Sequence, residues 1–184
     1  MSEFVISTRY ANALMALSNE KNFFEKAVSE VTFIMNTLKD SKELRNFLAS
    51  PIINSEKKSA VVTELFKSQV GAELNNYLQF LITKGRENLL FDICKRFIEL
   101  SNEKLNQVEV EITSAIELNE TQKEEMKKKL EIMISKKVIP SFNVQKEIIG
   151  GFKARFDDTV IDASIHHQLE ILKKKLFEEN YLKN

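Results

Sequence analysis

The chain has 184 residues, 43% of them hydrophobic and 29% charged, with 27 lysines and arginines against 27 aspartates and glutamates. This composition can bury a substantial core, and zero net charge excludes the global field that draws a protein to nucleic acid or anionic lipid. The lone Cys94 excludes an intramolecular disulfide. With no basic leader in MSEFVISTRY and no segment near the roughly 20 apolar residues of a membrane span, the chain is expected not to cross a membrane.

Up to Leu105 the pattern is helical, punctuated by Pro51, Gly71 and Gly85, and predicts five or six helices. The first is unusual. In YANALMAL, Tyr10 to Leu17, only Asn12 is polar, so this helix is apolar nearly all round and needs cover on two sides. Phe24, Val28, Val31, Met35 and Leu38 form the inward face of the next. Asp40 and Glu43 read as a capping box for a helix carrying Leu44, Phe47 and Leu48, which Pro51 stops. Asn54 or Ser55 opens another with Val61, Val62, Leu65 and Phe66. Leu74, Leu78 and Leu81 line the following helix, which Gly85 ends in a left-handed turn. In this helix, too, apolar residues exceed one stripe, because Tyr77, Phe80 and Ile82 lie on other bearings. A last helix carries Leu90, Ile93, Phe97 and Leu100. Short connections imply antiparallel neighbours and a bundle.

After Asn106 the period changes to two. Val108, Val110, Ile112 and Ser114 alternate with polar residues as in a strand with one wet face. Asn119 with Gln122 caps a helix whose inward residues are Met126, Leu130, Met133 and Ile134. A strand over Ile139 to Val144 precedes the glycines. Phe152, Ala154 and Phe156 share a strand face opposite Lys153 and Arg155, and Val160 to Asp162 returns after a turn at Asp157 and Asp158. Ser164 then caps a final helix with Ile165, Leu169, Leu172 and Leu176 inward. The expected fold is mainly α: a helical bundle over residues 1–105 and a small α/β (α+β) domain over 106–184. Each part carries its basic and acidic residues within one charge of balance, so neither is a basic module.

Gly150 and Gly151 stand side by side in a chain with four glycines. A phosphate cradle would need a helix after them, and a strand pattern follows instead, so they read as a bend where a strand starts beside another backbone. His166 and His167 are adjacent and diverge on a helix, unlike the i, i+4 spacing of a metal pair. Cys94, among Ile93, Phe97 and Ile98, reads as a small buried hydrophobe. The run KEEMKKK reads as a solvated face. No nucleophile, base or metal set is legible, and no catalytic residue, cofactor or metal is expected. The two helices rich in apolar residues leave two readings open: they form a groove for an amphipathic helix of another protein, or a bundle buries them completely.

The order of RYANALMAL, L-x-S-P-I-I (Leu48 to Ile53), K-G-R (Lys84 to Arg86), TSAIELNETQ (Thr113 to Gln122) and IGGFKARFDDTVIDASIHHQL (Ile149 to Leu169) resembles the delta subunit family of F-type ATP synthases, the mitochondrial oligomycin-sensitivity-conferring protein. The resemblance spans essentially the whole chain. It implies an N-terminal six-helix bundle and a C-terminal α/β domain in a non-catalytic stator connector, coupling rotation to ATP synthesis and proton transport. It also implies partners: the N-terminal helix of an alpha subunit in a groove between helices one and five, and b-type peripheral stalk subunits on the C-terminal domain. Tyr10, Ala13, Leu14, Leu17, Asn76, Gln79, Phe80 and Thr83 match the groove positions, and Gly150, Gly151, Asp162 and Ser164 a structural motif. The implied location is peripheral, on the cytoplasmic face of a bacterial cell membrane within the complex. Two places depart from the family pattern: Gln145 and Lys146 stand where Asp-Pro, or Asp followed by a polar residue, is usual, and Asp157-Asp158 stands where the turn is often Gly-Asp. The alternative, a helical nucleic-acid-binding adaptor of the antitermination type, would need a clustered basic face, which the near-neutral parts do not supply.

Overall fold

The computed structural model describes residues 2–145 and 148–181; Lys146 and the side chain of Leu176, both singled out above, lie outside the described residues. The chain divides into two compact units, Met1–Lys104 and Leu105–Asn184.

The first unit is helical: α1 (Glu3–Glu20), α2 (Phe24–Asp40), α3 (Lys42–Ala49), α4 (Ser55–Phe66), α5 (Ala72–Thr83), a 3-10 turn (Glu87–Leu89) and α6 (Leu90–Lys104). Both α1 and α2 pack on α6, and α4 packs on α5. The fully enclosed side chains, Leu14, Ile34, Leu38, Phe66, Leu74, Leu78, Leu81, Ile93 and Phe97 among them, come from α1, α2, α4, α5 and α6 and make one core. Burial there pushes the Cys94 thiol up to about 12, so it stays an inert apolar group.

Local chemistry sets the helix ends. Ser41, in extended backbone, accepts from the Leu44 N–H at 3.2 Å and caps α3. The cap is therefore one residue later than the expected Asp40, which closes α2. Asn54 caps α4 by accepting from the Lys57 N–H. The start of α5 has a glycine and no side chain of its own to cap it. Glu30 of α2, 5% exposed, reaches across to accept from the Gly71 N–H at 2.9 Å, placing a carboxylate at the positive end of α5. Gly85, at φ +63°, ends α5: its N–H donates to Ile82 O and the Arg86 N–H to Leu81 O, the left-handed closure expected from the sequence.

Several expected inward faces are rotated. On α2 the buried row is Ala27, Glu30, Val31, Ile34 and Leu38, while Phe24, Val28 and Met35 are half-buried at its margins. Leu65 of α4 is 47% exposed, and Lys58 of the same helix is buried.

The second unit holds β1 (Gln107–Ser114), α7 (Glu120–Ile134), β2 (Lys137–Val144), β3 (Phe152–Phe156), β4 (Thr159–Asp162) and α8 (Ile165–Tyr181). Together the units are mainly helical, with one small sheet of order β2-β1-β3-β4. The first two strands are parallel, as a connection through α7 requires, and the others antiparallel. Asn119 and Gln122 form the capping box of α7. The register puts Val108, Val110, Ile112, Val138 and Ala154 on one face, packed with Leu130 of α7. Lys153 and Arg155 face the other way. Met133 is a correction: it is 64% exposed, because Met126, Leu130 and Ile134 already cover that width of sheet.

The outer edge of β2 is blunted. The Lys137 and Gln145 N–H groups point to the β1 side, so the backbone nitrogens of Val138 and Pro140, of opposite parity, lie on the outer edge. Val138 donates to the Glu131 carboxylate at 3.1 Å, and Pro140 has no N–H to offer a foreign strand.

Asp157 takes φ +47° in the β3–β4 turn, so an aspartate there does adopt the left-handed conformation. Beyond it, Ser164 caps α8 by accepting from the His167 N–H. Of the expected inward face of α8, Ile165, Leu169 and Leu172 are 44%, 55% and 52% exposed, so the described part of that face is open and not buried. Asp162 accepts from the Ser164 hydroxyl and N–H and pairs with Lys153 at 3.0 Å. These hold its carboxyl at about 2, against about 3.9 for an unperturbed aspartate. A depressed folded-state value means that this contribution to stability is complete above about pH 4 and lost as pH falls toward 2. Acid titration of Asp162→Asn should therefore show less loss of stability over that window than the parent chain, with the two converging at its acid end.

Candidate functional site

On α1, residues Ile6, Tyr10, Ala13 and Leu17 follow spacings of four, three and four, and form one row along the helix. Ile6, Tyr10 and Leu17 are half-buried at the margin of the core and Ala13 is exposed. On α5 the matching row is Asn76, Phe80 and Thr83, all exposed, with Phe80 at 46%. The two rows meet where the Tyr10 and Phe80 rings lie with centroids 6.4 Å apart, tilted by 56°.

The register of the two helices is set by one hydrogen bond: the Tyr77 hydroxyl donates to the Tyr10 carbonyl at 2.9 Å. Burial, and next Cys94 and Tyr10, push the Tyr77 phenol far above its ordinary value, so it is a protonated donor at neutral pH. Lys21, just past α1, pairs with Glu73 near the start of α5. Since Tyr10 meets Phe80 and Lys21 meets Glu73, the helices run antiparallel. Between them lie the Tyr10–Phe80 aromatic pair and, toward the start of α5, the Lys21–Glu73 ion pair.

The eight residues assigned to the groove from sequence divide into three groups. Tyr10 and Leu17 are half-buried and Ala13, Asn76, Phe80 and Thr83 exposed on the two rows. Leu14 is 2% exposed and belongs to the core, so it offers no surface to a partner. Gln79 turns aside to α4, donating to the Thr63 hydroxyl at 2.9 Å and accepting from the Ser59 hydroxyl, and marks the far margin. Of the apolar excess on α5, Tyr77 and Ile82 are buried by the bundle itself, at 7% and 4% exposure, and only Phe80 is left over. Ile6, half-buried one turn before Tyr10, lies outside the YANALMAL run and extends the same row. Its spacing of four from Tyr10 was the available signal.

Gly150, Gly151, Asp162 and Ser164 come together in the second unit. The Ile165 N–H donates to Gly150 O and the Ala163 N–H to Phe152 O, so the glycine pair runs directly against the segment leading into α8. His166 lies 3.5 Å from Glu170 at the surface of α8. Among the described residues, no cluster of three or more His, Cys, Asp or Glu is placed to hold a metal ion, and no helix is long and apolar enough to cross a membrane.

A family profile described as "ATP synthase delta (OSCP) subunit" matches residues 6–176. A protein named ATP synthase subunit delta from Chlorobium phaeovibrioides is 34% identical over 176 residues, 96% of this chain and 97% of that protein. The protein of the same name from Pelodictyon phaeoclathratiforme is 35% identical over 96% of this chain and 99% of its own length. Among solved structures, a chain of the Toxoplasma gondii mitochondrial ATP synthase hexamer superposes with a TM-score of 0.70 at 21% identity, covering 93% of this chain and 97% of that one. At that identity the likeness is one of fold.

Proposed function

From the premise that this chain belongs to the ATP synthase delta (OSCP) subunit family, we propose that the furrow between α1 and α5 holds the N-terminal helix of an alpha subunit, while the C-terminal unit grips the b-type subunits of the peripheral stalk. The chain is a non-catalytic subunit of an ATP synthase, a stator connector that keeps the catalytic head from turning with the rotor. Family membership displaces the nucleic-acid adaptor reading. In this proposal the six helices of the first unit act as the alpha-binding bundle, residues 1–105, and residues 106–184 as the stalk-binding domain, at the cytoplasmic face of the membrane.

The observation that carries the alpha assignment is Phe80. It is a large aromatic side chain left 46% exposed, tilted against the half-buried Tyr10, on a helix whose Leu74, Tyr77, Leu78, Leu81 and Ile82 the bundle has already enclosed. A ring in that position costs solvation until a partner covers it. An amphipathic helix laid along the furrow would bury roughly 1,200 to 2,000 Å² in total, the size of a stable interface, with a few aromatic anchors supplying most of the affinity. The exposed α8 row of Ile165, Leu169 and Leu172 supports stalk binding by the same reasoning.

Titration calorimetry with a peptide from the alpha N-terminus provides the test. Tyr10→Ala should weaken binding by on the order of 2 kcal/mol, about thirtyfold, and Phe80→Asp by at least as much, because it sets a charge against an apolar helix face. Circular dichroism should show both variants folded, since neither side chain is in the enclosed core. Unchanged affinity in both would remove the alpha assignment. Recovery of alpha, beta and b-type subunits together on the tagged chain tests the connector role, and loss of the b-type subunits alone from a chain ending at Lys104 would locate the stalk grip.

A further inference from the structure

Lys84, the residue at which α5 closes, stands over the face of Phe80 with its ammonium 5.6 Å from the ring centroid. It is one helical turn from Phe80, and the left-handed Gly85 ends the helix immediately after it. Among the described residues no carboxylate lies within ion-pair distance of Lys84, whereas Lys21 at the other end of the furrow has Glu73. The furrow is thus asymmetric: neutralised at the Lys21 end and carrying an uncompensated cation at the other, directly on the aromatic floor.

A helix that covers Phe80 also takes water from that ammonium. A cation so desolvated is costly unless it gains an opposite charge, and cation–π attraction to one ring replaces only part of its hydration. We infer that the docked helix presents an aspartate or glutamate to Lys84, about one turn from the apolar residue seated on Tyr10 and Phe80, and that this contact sets the direction in which the helix lies in the furrow. This rests on the proposed alpha site and adds its polarity. It also gives a role to the lysine of the K-G-R motif, whose glycine serves only to stop α5.

The experiment uses the full chain and the alpha N-terminal peptide, titrated at low and at high salt. Lys84→Met should weaken binding about fivefold at low salt and flatten the salt dependence, while Lys84→Arg retains both. In the peptide, one acidic residue changed to its amide should produce the same loss, and combining that change with Lys84→Met should add nothing further. If Phe80→Ala weakens binding but Lys84→Met leaves affinity and salt slope as in the parent, the acidic contact is wrong and the groove stands. Should Phe80→Ala also bind normally, the groove itself is wrong.

Discussion

Gly151→Ala should destabilise the C-terminal unit by about 3 kcal/mol or more, while Gly150→Ala, one residue away, should cost under about 1 kcal/mol. Gly151 has φ +80°, a region side chains rarely tolerate, and a Cβ placed there would lie 2.3 Å from the Ala163 carbonyl oxygen and 3.0 Å from Ser164 Cα. Both obstacles are backbone, held by the Ala163-to-Phe152 and Ile165-to-Gly150 hydrogen bonds, so relief requires pulling the β4–α8 connection away from β3. A Cβ on Gly150 instead meets Ile165 Cδ1, the tip of a half-exposed side chain that can rotate. Hydrogen exchange measured on β1 and β3 is the appropriate readout, because the chain has two units and a single melting curve mixes them. Equal protection in the two variants would show that the close approach to Ala163 is not what the glycine pair serves.

The second large effect is expected at Lys58→Met, in the helical unit. Lys58, 4% exposed, donates to the Leu48 carbonyl and to Glu87 Oε1, each at 2.7 Å, and so joins α4 to the end of α3 and to the 3-10 turn. The side chain of Glu87 is itself only 11% exposed, and its other oxygen, Oε2, has no protein partner among the described residues. Removing the lysine strands a carboxylate in the interior, a change that typically costs about 3 to 5 kcal/mol. Replacing both ends, Lys58→Met with Glu87→Leu, should recover most of that loss, apart from roughly 1 kcal/mol for the Leu48 carbonyl left without a donor. Denaturant unfolding of the singles and the double makes the comparison. A double variant no more stable than Lys58→Met would show that the pair acts through something other than mutual neutralisation.

The two cases differ in how visible they were. The glycine pair announced a close backbone approach, because a strand pattern followed it and the chain uses glycine so sparingly. Nothing in SEKKSAVV marks one lysine as interior. Its partner is 29 residues away, and only the packing of α4 beside the 3-10 turn brings the charges together. Leu14, Met133 and Leu169 carry the same lesson in different directions: a leucine assigned to a partner surface is enclosed, while a methionine and a leucine assigned to the core are open.

Hydrophobic period, caps and glycine positions determined by themselves that this chain is helical first and mixed afterwards, with element order, the Asn119 box and the Gly85 stop readable residue by residue. These features arise from interactions within a few residues, which the local sequence contains in full. Tertiary structure alone decided how much of each apolar face is covered. Periodicity gives the bearing of a side chain around its helix but not the number of neighbours waiting at that bearing, and so it could not tell Tyr77 and Ile82, which the bundle encloses, from Phe80, which it leaves exposed.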